Sequence, residues 1–312
     1  MRDVTFTSRG VTCAAWHLPG TGEAFANEQG RPCVVMAHGF GGTKDTGLLA
    51  YAEGFAAAGI DVLVFDYRGF GASAGLPRQN VSFRRQRADY HAAIVAAWRL
   101  DGVDPDRIVL WGTSYSGGHV VPVAVADGRI AAVVSMTPAM DGLAALLAMF
   151  KHGGVRRLAP LVGHGLLDVF GALLGRPRHH LPVVGLPGST AIMTTPGALD
   201  DYTSLAGPTW RNETCARVAL EVAFNRPIRF ASRLRTPILV QVGDHDSVAP
   251  PAAAKRTAAL AGGYAQLRTY PVDHFDVYDG PVQRQGLADQ LDFLGRHLAG
   301  RTTSTEGKAI HA

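Results

Sequence analysis

The interpretation of the whole sequence begins with the stretch Ile108-Val109-Leu110-Trp111-Gly112-Thr113-Ser114-Tyr115-Ser116-Gly117-Gly118-His119. Its apolar first half predicts a buried strand, and the residues after Ser114 predict a helix. A strand that passes directly into a helix needs a sharp turn, and small residues are required there because the turn crowds the backbone. Such a turn lifts the Ser114 hydroxyl above the sheet, where it can act as a nucleophile.

On both sides of this stretch, short apolar runs alternate with Ala-rich helical segments. Runs such as Val62–Phe65 and Ile238–Val240 show no alternation of polar and apolar residues, which is typical of strands buried on both faces of a parallel sheet. The order of strands and helices therefore predicts an α/β protein with one large, mostly parallel eight-stranded sheet flanked by helices. The predicted strands are Val4–Thr7, Val11–Leu18, Pro32–Ala37, Asp61–Phe65, Ile108–Trp111, Ala131–Met136, Pro237–Val242 and Ala265–Tyr270. The predicted helices are Leu48–Ala58, Phe83–Trp98, Tyr115–Ala126, Ala252–Ala261 and Val282–Leu298.

The alternation stops between about Ala139 and Arg233. This region is rich in Gly and Pro and contains apolar helical pieces such as Leu143–Phe150 and Leu166–Phe170. We interpret it as a mostly helical cap inserted over the sheet; the alternative is two or three additional helices in the outer layer. The predicted division is a core at 1–138 and 234–300, a cap at 139–233, and a flexible polar tail at 301–312.

The composition excludes several classes of protein. Of 312 residues, 47% are hydrophobic, which excludes wholesale disorder. No apolar stretch approaches the ~18 uncharged residues of a membrane helix, and no secretory signal peptide is predicted at the start. The three cysteines (Cys13, Cys33 and Cys215) are too few and too scattered for a disulfide framework or a zinc site. The predicted location is the reducing cytoplasm.

The net charge of +4 is concentrated in one region. The stretch from Lys151 to His180 contains five basic residues and one acid, Asp168, so its surplus equals that of the whole chain. There is no basic tail and no basic stripe interleaved with aromatic residues, and nucleic-acid binding is therefore not expected. His179 and His180 have no His, Asp or Glu at the spacing of metal ligands, so they are interpreted as a solvated turn.

A serine hydroxyl is a weak nucleophile unless a base accepts its proton and an acid orients that base. The run Pro237–Val242 leads into Gly243-Asp244-His245-Asp246, which offers two acids. The run Leu267–Tyr270 leads into Pro271-Val272-Asp273-His274, which places a histidine just after the last predicted strand. His245 is too close to the acids along the chain to bridge one of them to Ser114. His119 lies one turn after Ser114 on a helix, where packing is the more typical role.

In this order, the motifs resemble those of the α/β-hydrolase family. Gly112-Thr113-Ser114-Tyr115-Ser116 is similar to the nucleophile elbow of that family, although Ser116 stands where the family pattern has glycine. The resemblance implies that Ser114 is the nucleophile, Asp246 the orienting acid and His274 the base. Three alternatives stay open at this point: Ser116 as a nucleophile shifted by two residues, an inert Ser-Gly turn without a nucleophile, and Asp244 as the acid.

Two further motifs extend the resemblance. An early strand ends in His38-Gly39-Phe40-Gly41, which implies the backbone N–H of Phe40 as one donor to a developing oxyanion and that of Tyr115 as the other. His38 is then expected to have a structural role in the loop. The turn Asp66-Tyr67-Arg68-Gly69-Phe70-Gly71-Ala72-Ser73 after the next strand is also similar to that of many members.

The resemblance implies a serine hydrolase that cleaves carboxylic esters through an acyl-enzyme, with no metal and no organic cofactor. The apolar cap predicts a pocket for a small or medium apolar or aromatic substrate group. The motifs are also similar to those of monoalkyl phthalate hydrolases, whose substrates carry a carboxylate that basic cap residues can meet. Hydrolysis of a thioester, trimming of an acyl group from a carrier, and opening of a lactone are alternatives with the same residues. A non-catalytic binding module is the alternative from another class, and assembly of identical chains stays open.

Overall fold

The computed structural model describes residues 1–298 and is centred on an eight-stranded sheet. The predicted tail at 301–312 lies outside the described residues. The strands of the main sheet are β1 (Arg2–Ser8), β2 (Val11–Leu18), β3 (Arg31–Ala37), β4 (Asp61–Phe65), β5 (Val103–Thr113), β6 (Ala132–Met136), β9 (Ile238–Gly243) and β10 (Ala265–Tyr270), and a small separate pair consists of β7 (His180–Leu181) and β8 (Thr214–Cys215). The helices are α1 (Leu49–Ala57), α2 (Phe83–Ala97), α3 (Tyr115–Ala126), α4 (Gly142–Leu173), α5 (Ala198–Leu205), α6 (Val218–Glu221), α7 (Pro251–Ala261) and α8 (Gly280–Leu298), with short 3₁₀ turns at 222–224, 227–233, 262–264 and 276–278.

The sheet has the strand order β1-β2-β4-β3-β5-β6-β9-β10. Six neighbouring strands pair in parallel, in the order β4, β3, β5, β6, β9 and β10. At the other edge, β1 pairs antiparallel with β2, and β2 pairs antiparallel with β4. The predicted α/β class with a mostly parallel eight-stranded sheet is confirmed, and the sheet is mixed only at this edge. Because the parallel strands all end on one side, the loops after β3, β5, β9 and β10 meet there.

The two faces of the sheet are covered by different helices, which explains the unbroken apolar runs. Val35, Leu63 and Leu110 point to the face that packs against α2, α3 and α7. Their neighbours Met36 and Trp111 point to the opposite face, against α1 and α8. Every residue of β4 is buried. Burial of each large side chain contributes about 1.5–3 kcal/mol, so the central strands supply much of the hydrophobic stabilisation.

The region between β6 and β9 is mostly helical. Its longest helix, α4, is kinked at Gly154, where φ is 58°. The Asp141 side chain accepts hydrogen bonds from the first N–H groups of α4 and pairs with Arg226 at 2.8 Å, which joins the two ends of the region. Farther along α4, the buried carboxylate of Asp168 pairs with Arg217 at 2.5 Å. We propose that this region, with the boundaries 139–233 taken from the sequence, acts as a cap.

A helix that spans a bilayer needs about 20 consecutive, predominantly apolar residues. Within residues 1–298, no helix combines the length and the apolar character that crossing a membrane requires.

Candidate active site

Ser114 occupies the sharp turn between β5 and α3. Its backbone has φ 54° and ψ −116°, a conformation that a non-glycine residue rarely adopts and that costs of order 1–3 kcal/mol. Gly112 is required by this turn, since a Cβ at that position would lie 2.3 Å from the carbonyl oxygen of Ser116. The surrounding structure therefore fixes the Ser114 side chain at the end of the sheet, where 8% of the residue is exposed.

His274 and Asp246 reach Ser114 from the loops after β10 and β9. The Nε2 atom of His274 lies 3.0 Å from Ser114 Oγ, and its Nδ1 atom lies 2.7 Å from Asp246 Oδ2. All three residues are buried. The structure thus brings His274 into contact with Asp246, which is 28 positions away along the chain, and with Ser114, which is 160 positions away. This chain of contacts can carry a proton from the serine to the imidazole while the carboxylate fixes the ring.

The loops that carry the acid and the histidine are tied together by their own hydrogen bonds. Asp246 Oδ1 accepts hydrogen bonds from the N–H groups of Val248 (2.9 Å) and Ala249 (2.6 Å). The carboxylate of Asp273 accepts from the N–H groups of Ser247 (2.7 Å) and His274 (2.6 Å), so it joins the two loops. These contacts hold the acid and the base in register without using the atoms that face Ser114.

The alternative residues lie elsewhere. Asp244 is exposed and pairs with Lys255 at 2.7 Å. His245 is exposed beside it. His119 is fully buried on α3, where its Nε2 atom lies 3.0 Å from Gln86 Oε1. None of these three contacts Ser114 in the described part of the chain.

Ser116 points away from the cleft. Its buried hydroxyl donates a hydrogen bond to the His38 carbonyl oxygen and lies 2.5 Å from the hydroxyl of Tyr67. Since the Ser116 proton is used on His38, Tyr67 is the donor of the second bond. The serine that replaces the family glycine therefore links the turn at Ser114 to the loops after β3 and β4.

The loop after β3 brings a backbone donor close to Ser114. A Cβ on Gly39 would lie only 3.0 Å from the Ser114 Cβ, so the loop passes directly beside the serine. The N–H of Phe40 follows in this loop, and the N–H of Tyr115 begins α3. Within residues 1–298, neither group donates a hydrogen bond to another protein atom. Both are therefore available to a ligand at Ser114.

Side chains from the region between β6 and β9 hold this loop. The hydroxyl of Tyr202 donates to the Phe40 carbonyl oxygen at 2.8 Å, and Trp210 Nε1 donates to the Gly41 carbonyl oxygen at 3.1 Å. The rings of Tyr202 and Trp210 stack with centroids 5.2 Å apart. Neither residue was predicted from the sequence, because no motif or periodicity marks them.

The turn after β4 anchors the other end of the loop. Asp66 forms a buried ion pair with Lys44 at 3.0 Å and accepts the Lys44 N–H at 2.6 Å. It also accepts the N–H of Ala72 at 3.0 Å. A Cβ on Gly71, whose φ is 47°, would lie 2.3 Å from this carboxylate, so glycine is required at that position. The Asp66–Ser73 motif therefore shapes the loop rather than contacting Ser114.

Two cavities meet at Phe40. The first is a cleft of about 350 Å³, including space open to solvent, and it is lined by Ser114, His274, Tyr202, Met193 and Phe275, among others. The second, of about 500 Å³, is lined only by apolar side chains, among them Leu146, Met149, Leu161, Ile192 and Val218. Phe40 contributes to the walls of both. Among the described residues, no Asp, Glu, Lys or Arg lines either cavity, and a neutral, apolar ligand group fits this environment.

The two adjacent histidines are not a solvated turn. His179 and His180 are half-buried, and the His179 ring stacks on His164 with Nε2 2.7 Å from His164 Nδ1. The sequence interpretation was wrong because it considered only chain neighbours, and His164 lies on α4. Among the described residues, no group of three or more His, Cys, Asp or Glu side chains is placed to hold a metal ion.

The chain is similar to known proteins over most of its length. A family model described as alpha/beta hydrolase fold matches residues 32–281. The chain is 40% identical over 297 residues to the quorum-quenching protein AidA of Acinetobacter baumannii, which covers 94% of each chain. It is also 38% identical over 120 residues, 38% of each chain, to the thiohydrolase aneE of Aspergillus aculeatus. The crystal structure of the alpha/beta hydrolase GrgF from Penicillium sp. sh18 superposes with a TM-score of 0.80 and 26% identity, and covers 96% of this chain and 99% of that one.

Proposed function

Because the chain belongs to the α/β-hydrolase family, we propose that it is a serine hydrolase that cleaves carboxylic esters through an acyl-enzyme. The observation that carries the proposal is the continuous contact from Ser114 Oγ through His274 to Asp246, with distances of 3.0 and 2.7 Å. A non-catalytic binding module would not need to keep all three residues in contact beside two free N–H groups.

The reaction follows from the positions of these groups. His274 Nε2 accepts the Ser114 proton as Oγ forms a bond to the ester carbonyl carbon, and the carbonyl oxygen takes the negative charge. The N–H groups of Phe40 and Tyr115 donate to that oxygen. When the tetrahedral species collapses, the C–O bond to the alcohol breaks and His274 donates its proton to the leaving oxygen. His274 then accepts a proton from water as the water oxygen attacks the acyl carbon. The bond from that carbon to Ser114 Oγ breaks, His274 returns its proton to Oγ, and the acid leaves.

The cavities support a substrate with an apolar acyl group. The cleft at Ser114 gives an ester access to the serine hydroxyl, and the cavity beyond Phe40 offers apolar walls to a small or medium aliphatic or aromatic group. The basic residues predicted to meet a carboxylate do not line either cavity. Arg157, for example, donates to the carbonyl oxygens of Ser189 (2.6 Å) and Ala191 (2.7 Å). A neutral ester is therefore the preferred substrate.

Thioester hydrolysis is the second candidate. It is favoured by the similarity to a relative that is named as a thiohydrolase. The same nucleophile, base and oxyanion donors serve both reactions, because only the leaving atom differs. Matched oxygen and sulfur esters of one acyl group distinguish the two candidates: the ratio of their kcat/KM values, compared with the ratio of their uncatalysed rates, shows which leaving group the enzyme prefers.

The proposal is tested by measuring intact mass after treatment with a fluorophosphonate, followed by peptide mapping of the adduct. We expect one adduct, on Ser114, that is absent in Ser114→Ala and strongly slowed in His274→Ala. Ser116→Ala is the matched control and should still be labelled at Ser114. Ser114→Ala should lower kcat by about 10⁴- to 10⁶-fold with the fold intact. An adduct on Ser116, or full activity of Ser114→Ala, would overturn the assignment.

A further inference from the structure

The outward face of the second half of α4 is almost entirely apolar. Eleven residues between Val155 and Leu174 are exposed, and Arg156 is the only charged one among them. Helices at the surface of a soluble protein normally present polar residues outward. Here, large side chains that are between 42% and 76% exposed take their place, namely Val155, Leu166, Leu167, Phe170, Leu173 and Leu174.

The inward face of the same helix is firmly held. Asp168 is buried and accepts hydrogen bonds from the N–H groups of His179 (3.3 Å) and Arg217 (3.2 Å) as well as from the Arg217 side chain. Leu161 is 4% exposed and packs with Leu181 in a small hydrophobic cluster. These contacts fix which side of α4 faces the protein, so the apolar residues cannot turn inward. Residues 1–298 therefore leave this face uncovered.

The extent of this face matches what one copy contributes to a stable dimer. At roughly 170–200 Å² for each fully exposed large side chain, the six residues present about 700 Å² of apolar surface. The largest apolar patch of a typical monomer is about 300–600 Å², whereas a standard interface takes about 800 Å² from each partner. We propose that two copies of this chain associate through the outward face of α4 between Val155 and Leu174.

Charge also favours a second copy over a lipid surface. Helices that bind anionic membranes carry several basic residues along the edges of the apolar face. Between Val155 and Leu174 only Arg156 is both exposed and charged, and the neighbouring Arg157 donates inward to carbonyl oxygens. The exposed Lys151 and Arg176 lie outside these bounds. Two such faces related by a two-fold axis bring little like charge together. Since Leu158 and Leu161 on the same helix line the apolar cavity, association would also fix one wall of that cavity.

The test is the mass in solution, measured by analytical ultracentrifugation of the full chain. We expect twice the chain mass of 33.0 kDa for the wild type. The double variant Leu167→Glu/Phe170→Glu should sediment at half the wild-type mass with an unchanged far-UV circular dichroism spectrum. Leu260→Glu is the matched control, since Leu260 is an exposed leucine on α7, and it should stay dimeric. A wild type that is monomeric at the highest soluble concentration would overturn the proposal.

A milder substitution on the same face tests the proposal even if the double glutamate variant does not fold. Cys13, Cys33 and Cys215 are all buried, so Leu167→Cys introduces a single exposed thiol. A short bis-maleimide should crosslink this variant into dimers, and should not crosslink Leu260→Cys. Flotation with phosphatidylglycerol vesicles identifies the other occupant. A chain that is monomeric and floats only when Leu167 and Phe170 are intact would show that the face binds lipid, and the proposal would be wrong.

Discussion

At the scale of single residues, Ser116 connects the turn that carries Ser114 to the rest of the molecule. The glycine of the family pattern would remove the hydroxyl that bonds two buried groups here, the His38 carbonyl oxygen and the Tyr67 hydroxyl. An unsatisfied buried polar group costs about 1–3 kcal/mol. The Ser116 hydroxyl therefore stabilises the arrangement of three loops around Ser114 without taking part in the chemistry.

We predict that Ser116→Ala lowers the free energy of unfolding by about 1–3 kcal/mol, because it removes both hydrogen bonds of this hydroxyl. Urea denaturation measures the loss. Tyr67→Phe removes only the second bond, and the double variant should show a coupling energy of about 0.5–3 kcal/mol between the two positions. Additive losses would contradict the direct contact between Ser116 and Tyr67.

At the scale of elements, the loop after β3 depends on contacts from the proposed cap. The Tyr202 hydroxyl donates a hydrogen bond to the Phe40 carbonyl oxygen at 2.8 Å. The Phe40 N–H belongs to the peptide unit directly before that carbonyl. We predict that Tyr202→Phe lowers kcat about five- to tenfold, since a lost hydrogen bond of about 1 kcal/mol loosens an oxyanion donor. Initial rates with a chromogenic ester give kcat and KM separately.

The matched control for Tyr202→Phe is Tyr264→Phe, in which the tyrosine is 41% exposed and lies outside both cavities. Its kinetic constants should equal those of the wild type. If Tyr202→Phe retains the wild-type kcat, the Phe40 peptide is held by other contacts and the proposed role of this hydroxyl is wrong. A rise in KM alone would indicate that Tyr202 binds substrate rather than positions the donor.

The first half of α4 forms a wall of the apolar cavity, which predicts selectivity for acyl length. Ala145 lines that cavity, and Ala145→Leu fills part of it. We predict that kcat/KM for an octanoyl ester falls about tenfold or more while that for an acetyl ester changes little, since each methylene accommodated in an apolar pocket is worth about 1–3 kcal/mol. Ala259→Leu, on the exposed side of α7, is the control. Equal losses for both esters would place the acyl group elsewhere.

At the scale of the whole molecule, the sequence predicts what is local and misses what is long-range. The eight strands follow from apolar runs, and Ser114, Asp246 and His274 follow from short motifs at strand ends; the structure places these three in contact. Tyr202 and Trp210 lie 162 and 169 positions from the carbonyl groups they hold. Nothing in their neighbourhood along the chain signals this, because such contacts depend on how the region between β6 and β9 folds back.

The stability of the whole molecule is predicted to fall in mildly acidic solution. His38 and His119 are buried, and burial lowers the pKa of His38 and lowers the pKa of His119 well below the usual 6.5. Both stay neutral in the folded chain, whereas the same histidines in the unfolded chain bind protons as the pH falls through about 6.5. The unfolded state then binds more protons, so their contribution is complete above that pH and is lost below it.

We therefore predict that the free energy of unfolding decreases below about pH 6.5 by at most about 1.4 kcal/mol per pH unit for each of these histidines, until the pH reaches the pKa of the folded state. Urea denaturation between neutral and mildly acidic pH measures the slope. His119→Gln should remove one of the two contributions, because glutamine stays neutral and its amide nitrogen can still donate to Gln86. His245→Gln, at an exposed position, is the control. If His119→Gln keeps the wild-type slope, His119 is not the group that loses stability in acid, and the pH dependence must arise elsewhere in the fold.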